Sequence, residues 1–476
     1  MAEIIGRRKE IKELQDCYQS KRSEFIVVYG RRRVGKTYLV NNVFEDRLAF
    51  QHTGLSPFEL KDEVLSQSQL TNFYSSLKRY GYKGNDKPDD WLSAFDALIS
   101  LLSSQPKDKP QVVFIDEIAW MDTPRSGFIT AFEHFWNGWG ANRGNLKLVV
   151  CSSAASWVMD NIINNRGGLF DRTTREIHLS PFTLGETSDY LDSIGVTYDH
   201  YDVLQTYMAV GGVPYYLSFI QPGMSVAENI DNLFFEKNAK LKNEYKNLFS
   251  SQFANPEACK GIIDCLTANK TGCTRAEIME KGGFSSGGTL SQQIKSLMAS
   301  DFIMSYVPYK GKKRDMKYKI IDPCILFSTK FAQKTTNDHY WRNNQNSATL
   351  NTWRGLAFEN VCFSHIPQIK TALGINGVQT EVLPWHSEQK SGGAQTDMII
   401  DRADRIVNIC EMKFYNTEFV VDKDYDEKLR NKLDVFLRET KLRKSVLMTL
   451  VTTYGLGQSR YSGRFQNVIT MDQLFL

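Results

Sequence analysis

Lys36 and Thr37 close the run Gly30-Arg31-Arg32-Arg33-Val34-Gly35-Lys36-Thr37, a complete G-x-x-x-x-G-K-T. In that spacing the glycines let the backbone curl so that N–H groups point inward at phosphate oxygens. The lysine then reaches the β- and γ-phosphates, and the threonine hydroxyl serves Mg²⁺. An apolar segment, Phe25–Tyr29, precedes the run. A helical pattern, Thr37–Phe44, follows it, with Tyr38 in its first turn. A helix start adds unpaired N–H groups and a positive dipole end. Further along, the hydrophobic segment Gln111–Ile115 ends in Asp116-Glu117. Asp116 suits the water shell of Mg²⁺, and Glu117 is placed to polarise a water for attack on the γ-phosphate. The two stretches together read as an ATPase core that grips a triphosphate with Mg²⁺.

A second set of reactive residues lies near the end of the chain. Asp397 opens an apolar strand pattern, Gly393–Ile400. After a turn at Asp401–Arg405 comes Ile406–Lys413, with Glu411 and Lys413 near its end. Alternation along a strand points Glu411 and Lys413 to one face. Paired as a hairpin, the two strands bring Asp397 and Glu411 toward one cation, and carboxylates are the hard oxygen ligands that Mg²⁺ prefers. Lys413 beside them suits positioning of an attacking water and compensation of charge on a phosphate. His365 and His386 nearby read as ordinary polar or core residues.

The elements that must hold these groups follow from the pattern. Strands alternate with helical stretches over residues 1–185, which implies a mainly parallel α/β sheet covered by helices. Residues 186–250 read as helical. In Gly211-Gly212-Val213-Pro214, the glycines close one helix and the proline opens the next. Residues 255–325 read as three helices, the second capped by Thr274 with Glu277. A hairpin with the basic tip Lys310–Asp315 follows. This is the plan of a winged helix, with Ser291–Ser296 facing a DNA groove and the wing contacting phosphates. Residues 330–350 read as a polar linker, and 351–476 as a separate α/β unit.

Composition sets bounds. With 476 residues, two or three domains are expected. The 42% hydrophobic and 24% charged content is that of a globular protein. A formal charge of only +4 places any nucleic-acid contact on local patches. Eight scattered cysteines with no C-x-x-C pair suit reduced thiols in the cytoplasm. No apolar run approaches the ~20 residues of a membrane span, and the N-terminus lacks a signal-peptide pattern.

The start Ile4-Ile5-Gly6-Arg7-Arg8-Lys9-Glu10 with Leu14, and the stretch Gly211–Leu217, resemble the archaeal-type AAA-related ATPases of the STAND group. That resemblance implies ATP as the nucleotide, Gly6 and Arg7 near the adenine, and Pro214 approaching the nucleotide from a helical lid. It also implies a polar sensor at Ser152 or Ser153, for which a simple helix cap is the alternative. Arg172 or Arg175 becomes a candidate γ-phosphate reader, in cis or from a neighbouring subunit of a homo-oligomer. Arg31, Arg32 and Arg33 either add charge near phosphate or face solvent. Asp397…Glu411-x-Lys413 resembles the PD-(D/E)xK nuclease core, and Trp353–Glu359 its opening helix, with Glu359 as a further acid. The whole layout resembles ATPases that end in a DUF234-type, restriction-endonuclease-like domain. Two functions follow: an ATP-driven, Mg²⁺-dependent enzyme acting on DNA, or a nucleotide-dependent switch whose C-terminal domain binds nucleic acid or a partner without cleaving.

Overall fold

A computed structural model of the chain describes all residues but 1–3, 58–61, 254, 270, 285–286, 335–336 and 388–392. The chain divides into two compact units. One comprises Met1–Ser180, Leu248–Pro256 and Lys295–Asp301; the other comprises Pro181–Asn247, Glu257–Ile294 and Phe302–Leu476.

In the first unit, β1 (Glu24–Tyr29), β2 (Leu48–Thr53), β3 (Gln111–Asp116), β4 (Leu146–Ser152) and β5 (Arg175–His178) form a parallel sheet of order β2-β3-β4-β1-β5. Side chains of β1 alternate between two cores. Phe25 and Val27 pack with Val113, Ile115, Leu148 and Val150 on one face. Ile26 and Val28 pack with Val112, Phe114, Val149 and Cys151 on the other. Burial on both faces explains why these strands are continuous apolar runs. The register aligns Tyr29 with Ser152 and His178, and Thr53 with Asp116, so the strand ends share one edge. Helices Asp62–Arg79 and Trp91–Ser104 connect β2 to β3 along the chain.

In the second unit, helices Leu184–Ser193 and His200–Val210 precede the short helix Pro214–Leu217. Gly211, at φ +69°, closes one helix and Pro214 starts the next, as the sequence implies. Helices Pro256–Thr267, Arg275–Lys281 and Gly287–Ala299 accompany a small antiparallel sheet. Its strands are β6 (Cys273–Thr274), β7 (Ile303–Tyr306) and β8 (Lys317–Ile320), in the order β6-β8-β7. Thr274 and Glu277 form the expected capping box. The third sheet has order β13-β12-β11-β10-β9, with β9 (Thr380–His386), β10 (Gln395–Arg402), β11 (Ile406–Lys413), β12 (Ser445–Thr452) and β13 (Asn467–Thr470). Helix Ala348–Ser364 packs on one face through Phe358, Val361 and Cys362. Helix Lys423–Thr440 covers the other through Leu429, Val435 and Phe436.

The expected linker at 330–350 instead sends Phe331, Trp341 and Leu350 into the core. Trp341 is buried and donates its backbone N–H to Asp231 at 2.8 Å, while Arg342 donates Nε to the same carboxylate at 2.9 Å. One core joins Val203 to Leu233 with Phe327, Trp341 and Trp353, and extends to Met398 and Cys410 under the third sheet. The polar tract Asn343–Asn346 sits on the rim of that core, and its composition concealed the tryptophan beside it.

Candidate functional site

The nucleotide candidate is built at the shared edge of the first sheet. Gly30 leaves β1 at φ +146°, with the Leu179 carbonyl so close that a Cβ there would meet its oxygen at 2.4 Å. Arg33 (φ 72°) and Gly35 (φ +92°) complete the left-handed turns that wrap the loop ahead of helix Lys36–Phe44. Lys36 Nζ donates to the carbonyls of Gly30 at 2.9 Å and Arg31 at 2.8 Å. Burial pulls its pKa down, opposed by the charges of Glu117 and Asp116. A desolvated ammonium curled over its own loop is poised for an anion.

Thr37 Oγ1 donates to Asp116 Oδ2 at 2.7 Å. Burial, then the neighbouring Glu117, push the Asp116 carboxyl up to about 6. A hydroxyl and a carboxylate converging beside the loop are the oxygen donors that Mg²⁺ takes, so Thr37 and Asp116 fit the expected ion. Glu117 adopts a left-handed backbone (φ 49°), and its Oε2 accepts from both the N–H and the Oγ of Ser153, each at 2.9 Å. The Ser153 hydroxyl therefore holds the general-base candidate. Ser152 donates no such bond; its Oγ accepts from Ala154 N–H.

Other expected residues divide. Arg7, left-handed at φ 57° and following Gly6 at φ 66°, donates Nη2 to the Val34 carbonyl at 3.3 Å, tying the N-terminal segment to the phosphate loop. Arg31 is fully buried. Arg32 lies 5.7 Å from the Trp120 ring centroid and donates to the Ser251 carbonyl at 3.1 Å. Neither arginine simply faces solvent. Tyr38 is half exposed. Arg175 is misplaced for a cis role: it pairs with Ile26, three residues short of the edge, about 10 Å at 3.3 Å per residue. Its guanidinium meets the Cys17 thiol. Arg172 is exposed in the segment just before β5. Pro214 belongs to the second unit.

The two C-terminal strands pair as the hairpin reading requires. β10 and β11 are antiparallel, with Met398 opposite Cys410. A bulge against β9 between Thr396 and Ile399 inserts one residue at Asp397 and Met398, re-aiming Asp397. Asp397 Oδ2 accepts the Met412 backbone N–H at 2.9 Å. Glu411 is buried; its Oε1 accepts from Lys432 Nζ, and its Oε2 accepts from Tyr425 Oη at 3.0 Å, with Lys413 Nζ 3.7 Å away. Glu359 is pushed up to about 7 by burial and then Asp397, opposed by Lys319 and Lys413.

The expected metal set of Glu359, Asp397 and Glu411 is not assembled. Among the described residues no group of three or more His, Cys, Asp or Glu is arranged to hold an ion. Ammonium groups and a phenol already satisfy Glu411, and a backbone N–H takes Asp397. As placed, these residues do not fit the ion that the sequence implied. Sequence reasoning missed the three compensating partners: Tyr425 and Lys432, seven residues apart on one helix face, and Lys319 on β8. The Lys319 ammonium lies 5.0 Å from the Phe363 ring centroid, and Lys319 and Glu359 line a common 410 Å³ cavity. Only the i, i+7 spacing of Tyr425 and Lys432 was visible beforehand.

The expected DNA-facing side of helix Gly287–Ala299 is largely engaged. Gln293 is buried and accepts from Cys259 Sγ at 3.1 Å; Lys295 pairs with Asp160, and Ser296 Oγ meets Ser156 Oγ at 2.9 Å. Ser291 and Gln292 remain exposed.

With the geometry in hand, residues 4–220 match the family described as an ATPase domain predominantly from Archaea. The chain carries an archaeal-type ATPase domain. It is 23% identical over 367 residues, 75% of this chain and 76% of the relative, to an uncharacterized protein of Methanocaldococcus jannaschii. Among solved structures, the Walker-type ATPase of Pyrococcus abyssi overlays with a TM-score of 0.44 at 16% identity, over 68% of this chain and 95% of that one. The ORC2 protein of Aeropyrum pernix, solved as ADPNP–ADP complexes, gives 0.44 at 12% identity, over 68% and 91%. The matched span contains the five-stranded parallel sheet, the glycine-bounded loop, the acidic strand and Ser153. No helix of the described residues is long and apolar enough to cross a membrane.

Proposed function

We propose that this chain hydrolyses ATP and uses the nucleotide to govern a DNA-acting C-terminal half. The convergence of Lys36, Thr37, Asp116 and Glu117 on one glycine-bounded loop carries the first part. On this reading Lys36 exchanges its two loop carbonyls for β/γ-phosphate oxygens, and backbone N–H groups from Gly30 to Thr37 cradle the phosphates. Thr37 and Asp116 would hold Mg²⁺, which when bound draws charge from the phosphate oxygens. Glu117, released by Ser153, orients the attacking water. Gly6 and Arg7 lie by the adenine, Val34 and Tyr38 complete the cradle, and Pro214 belongs to the lid. Replacing Lys36 by Ala should abolish ATP turnover in a phosphate-release assay; turnover at the wild-type rate would refute the assignment.

For the second half, the three helices and small sheet at 255–325 support a winged helix, and the Glu359, Asp397, Glu411, Lys413 arrangement supports a nuclease-like domain at 351–476. The lysine and tyrosine partners of Glu411 favour the second reading over cleavage: a nucleotide-dependent, STAND-type switch whose C-terminal domain binds nucleic acid. A cytoplasmic setting accords with eight buried free thiols. A homo-oligomer is required if Arg175 acts on a neighbour's nucleotide. Plasmid cleavage with Mg²⁺ or Mn²⁺ that disappears in both Asp397→Ala and Lys413→Ala would overturn the non-cleaving reading.

A further inference from the structure

The tip of the β7–β8 hairpin is docked on the third sheet. Tyr309 donates its hydroxyl to Asp401 Oδ2 at 3.1 Å, and its ring lies 5.7 Å from that of Phe436. The Lys310 ammonium caps the Thr440 carbonyl at the end of helix Lys423–Thr440, and Lys444 pairs with Asp401. Three separate segments thereby meet: the hairpin tip, the β10–β11 turn and the turn into β12. They line an open cavity of 530 Å³ carrying five cations, Lys310, Arg405, Lys441, Arg443 and Lys444, against two carboxylates, Glu381 and Asp401.

The carboxylates do not quench this charge. Asp401 is already claimed by Tyr309 and Lys444. Arg405 donates to the Arg443 carbonyl, at 3.3 Å, and among the described residues Arg405, Lys441 and Arg443 show no ion pair. All three are exposed, as are Lys312, Lys313 and Arg314 farther along the same hairpin tip. The backbone adds a second observation. Nine non-glycine residues of the described chain have positive φ, and three of them line this cavity: Lys310 (60°), Arg405 (67°) and Lys441 (47°). Each occupies a conformation that glycine or asparagine adopts at lower cost. Cations stand at all three instead, and backbone strain of this kind concentrates at functional sites.

We propose that this cavity binds the phosphate backbone of duplex DNA, anchoring it beside the third sheet. The inference rests on DNA as the partner, but on neither ATP hydrolysis nor cleavage. A concave floor of cations from three packed segments, extended by an exposed basic tip, matches a rod of regularly spaced phosphates. A membrane surface would call for exposed apolar side chains to insert, and the lining offers only Tyr309 and Leu442, neither fully exposed. Asp401 lies four residues along β10 from Asp397, roughly 13 Å at 3.3 Å per residue. A duplex anchored here passes the carboxylate cluster about four base-pair steps away.

The test is anisotropy of the full chain with a short fluorescent duplex, in EDTA and without nucleotide, over a series of KCl concentrations. Each lost phosphate contact lowers the slope of log K against log salt by about 0.9. The combined variant Arg405→Gln, Lys441→Gln, Arg443→Gln should therefore lower the slope by roughly 2 to 3, with ATP turnover unchanged. Lys107→Gln with Lys109→Gln, on the first unit, should leave it unaltered. If the combined variant does not fold, Lys441→Gln alone should lower the slope by about 1. A wild-type slope in folded variants overturns the inference while leaving DNA as the partner. Failure of the wild type to bind duplex overturns both. Loss of binding to phosphatidylglycerol vesicles with duplex binding intact also overturns it.

Discussion

Removing the Lys432 ammonium tests whether the C-terminal carboxylates are internally compensated rather than built for a metal. Lys432→Met keeps the stem volume and deletes the charge that bonds Glu411. Glu411 is 2% exposed, so a carboxylate stripped of its main partner stays in a desolvated place. Breaking a buried pair costs roughly 3–5 kcal/mol. Here Tyr425 and Lys413 remain, and Lys432 is itself 16% exposed. A loss of about 2–3 kcal/mol is therefore expected, a drop of several degrees in the apparent Tm of the second unit. Burial and Asp397 already raise the Glu411 pKa above its ordinary value, and Lys432 opposes that rise. Deleting the cation raises it further, so the penalty is largest at neutral and alkaline pH. It shrinks as acid protonates Glu411, because a neutral carboxyl needs no ammonium. The double variant Glu411→Gln, Lys432→Met should recover most of the loss. Thermal unfolding across pH, with and without Mg²⁺, reads all of this. A penalty below about 0.5 kcal/mol, the level of a surface change, or one that grows in acid, would refute the compensation. So would a wild-type Tm that rises with Mg²⁺ only when Asp397 and Glu411 are intact.

Three further outcomes are expected. Asp116, raised from 3.8 to about 6, stabilises the fold less when ionised, so nucleotide-free Asp116→Asn should be more stable near pH 7 by up to about 3 kcal/mol. The same variant should lose Mg²⁺-dependent ATP turnover in a phosphate-release assay. Gly30→Ala would put a Cβ 2.4 Å from the Leu179 carbonyl oxygen, and should abolish nucleotide binding by calorimetry or prevent soluble expression. Asp231→Ala removes a fully buried acceptor of two backbone N–H groups and the Arg342 guanidinium, and should cost roughly 3 kcal/mol in denaturant unfolding. A loss below 1 kcal/mol would contradict the packed role of residues 340–343.

The C-terminal sheet is also tied to the helices that open the second unit. Helices at 181–247 share one apolar core with the third sheet, and Leu184 N–H donates to His365 Nε2 at 2.9 Å. His365 is buried and its pKa is lowered to about 4 by burial, so it remains a neutral acceptor at physiological pH. Helices at 181–247 and the sheet carrying Asp397 and Glu411 are thus packed within one unit.

Local sequence determined the phosphate loop, the acidic strand tip, the helix caps and the β10–β11 hairpin. Each depends on residues a few positions apart: glycines at forced φ, a proline at a helix start, alternation along a strand. Those requirements are met within one element, so they show in the chain itself. Tertiary structure decided what distant segments offer one another. It placed Arg175 at the far end of its strand, because parallel register is set by packing across the sheet. It drew Trp341 into a core beside a polar tract, turned Gln293 inward and paired Lys295 with Asp160 at the surface. It brought Lys432, Tyr425 and Lys319 to the carboxylates, through a helix packing on one face of the sheet and a hairpin meeting its edge. Whether a pair of acids receives a metal or an ammonium depends on which side chains the fold carries to them in three dimensions, and no spacing along the chain encodes that.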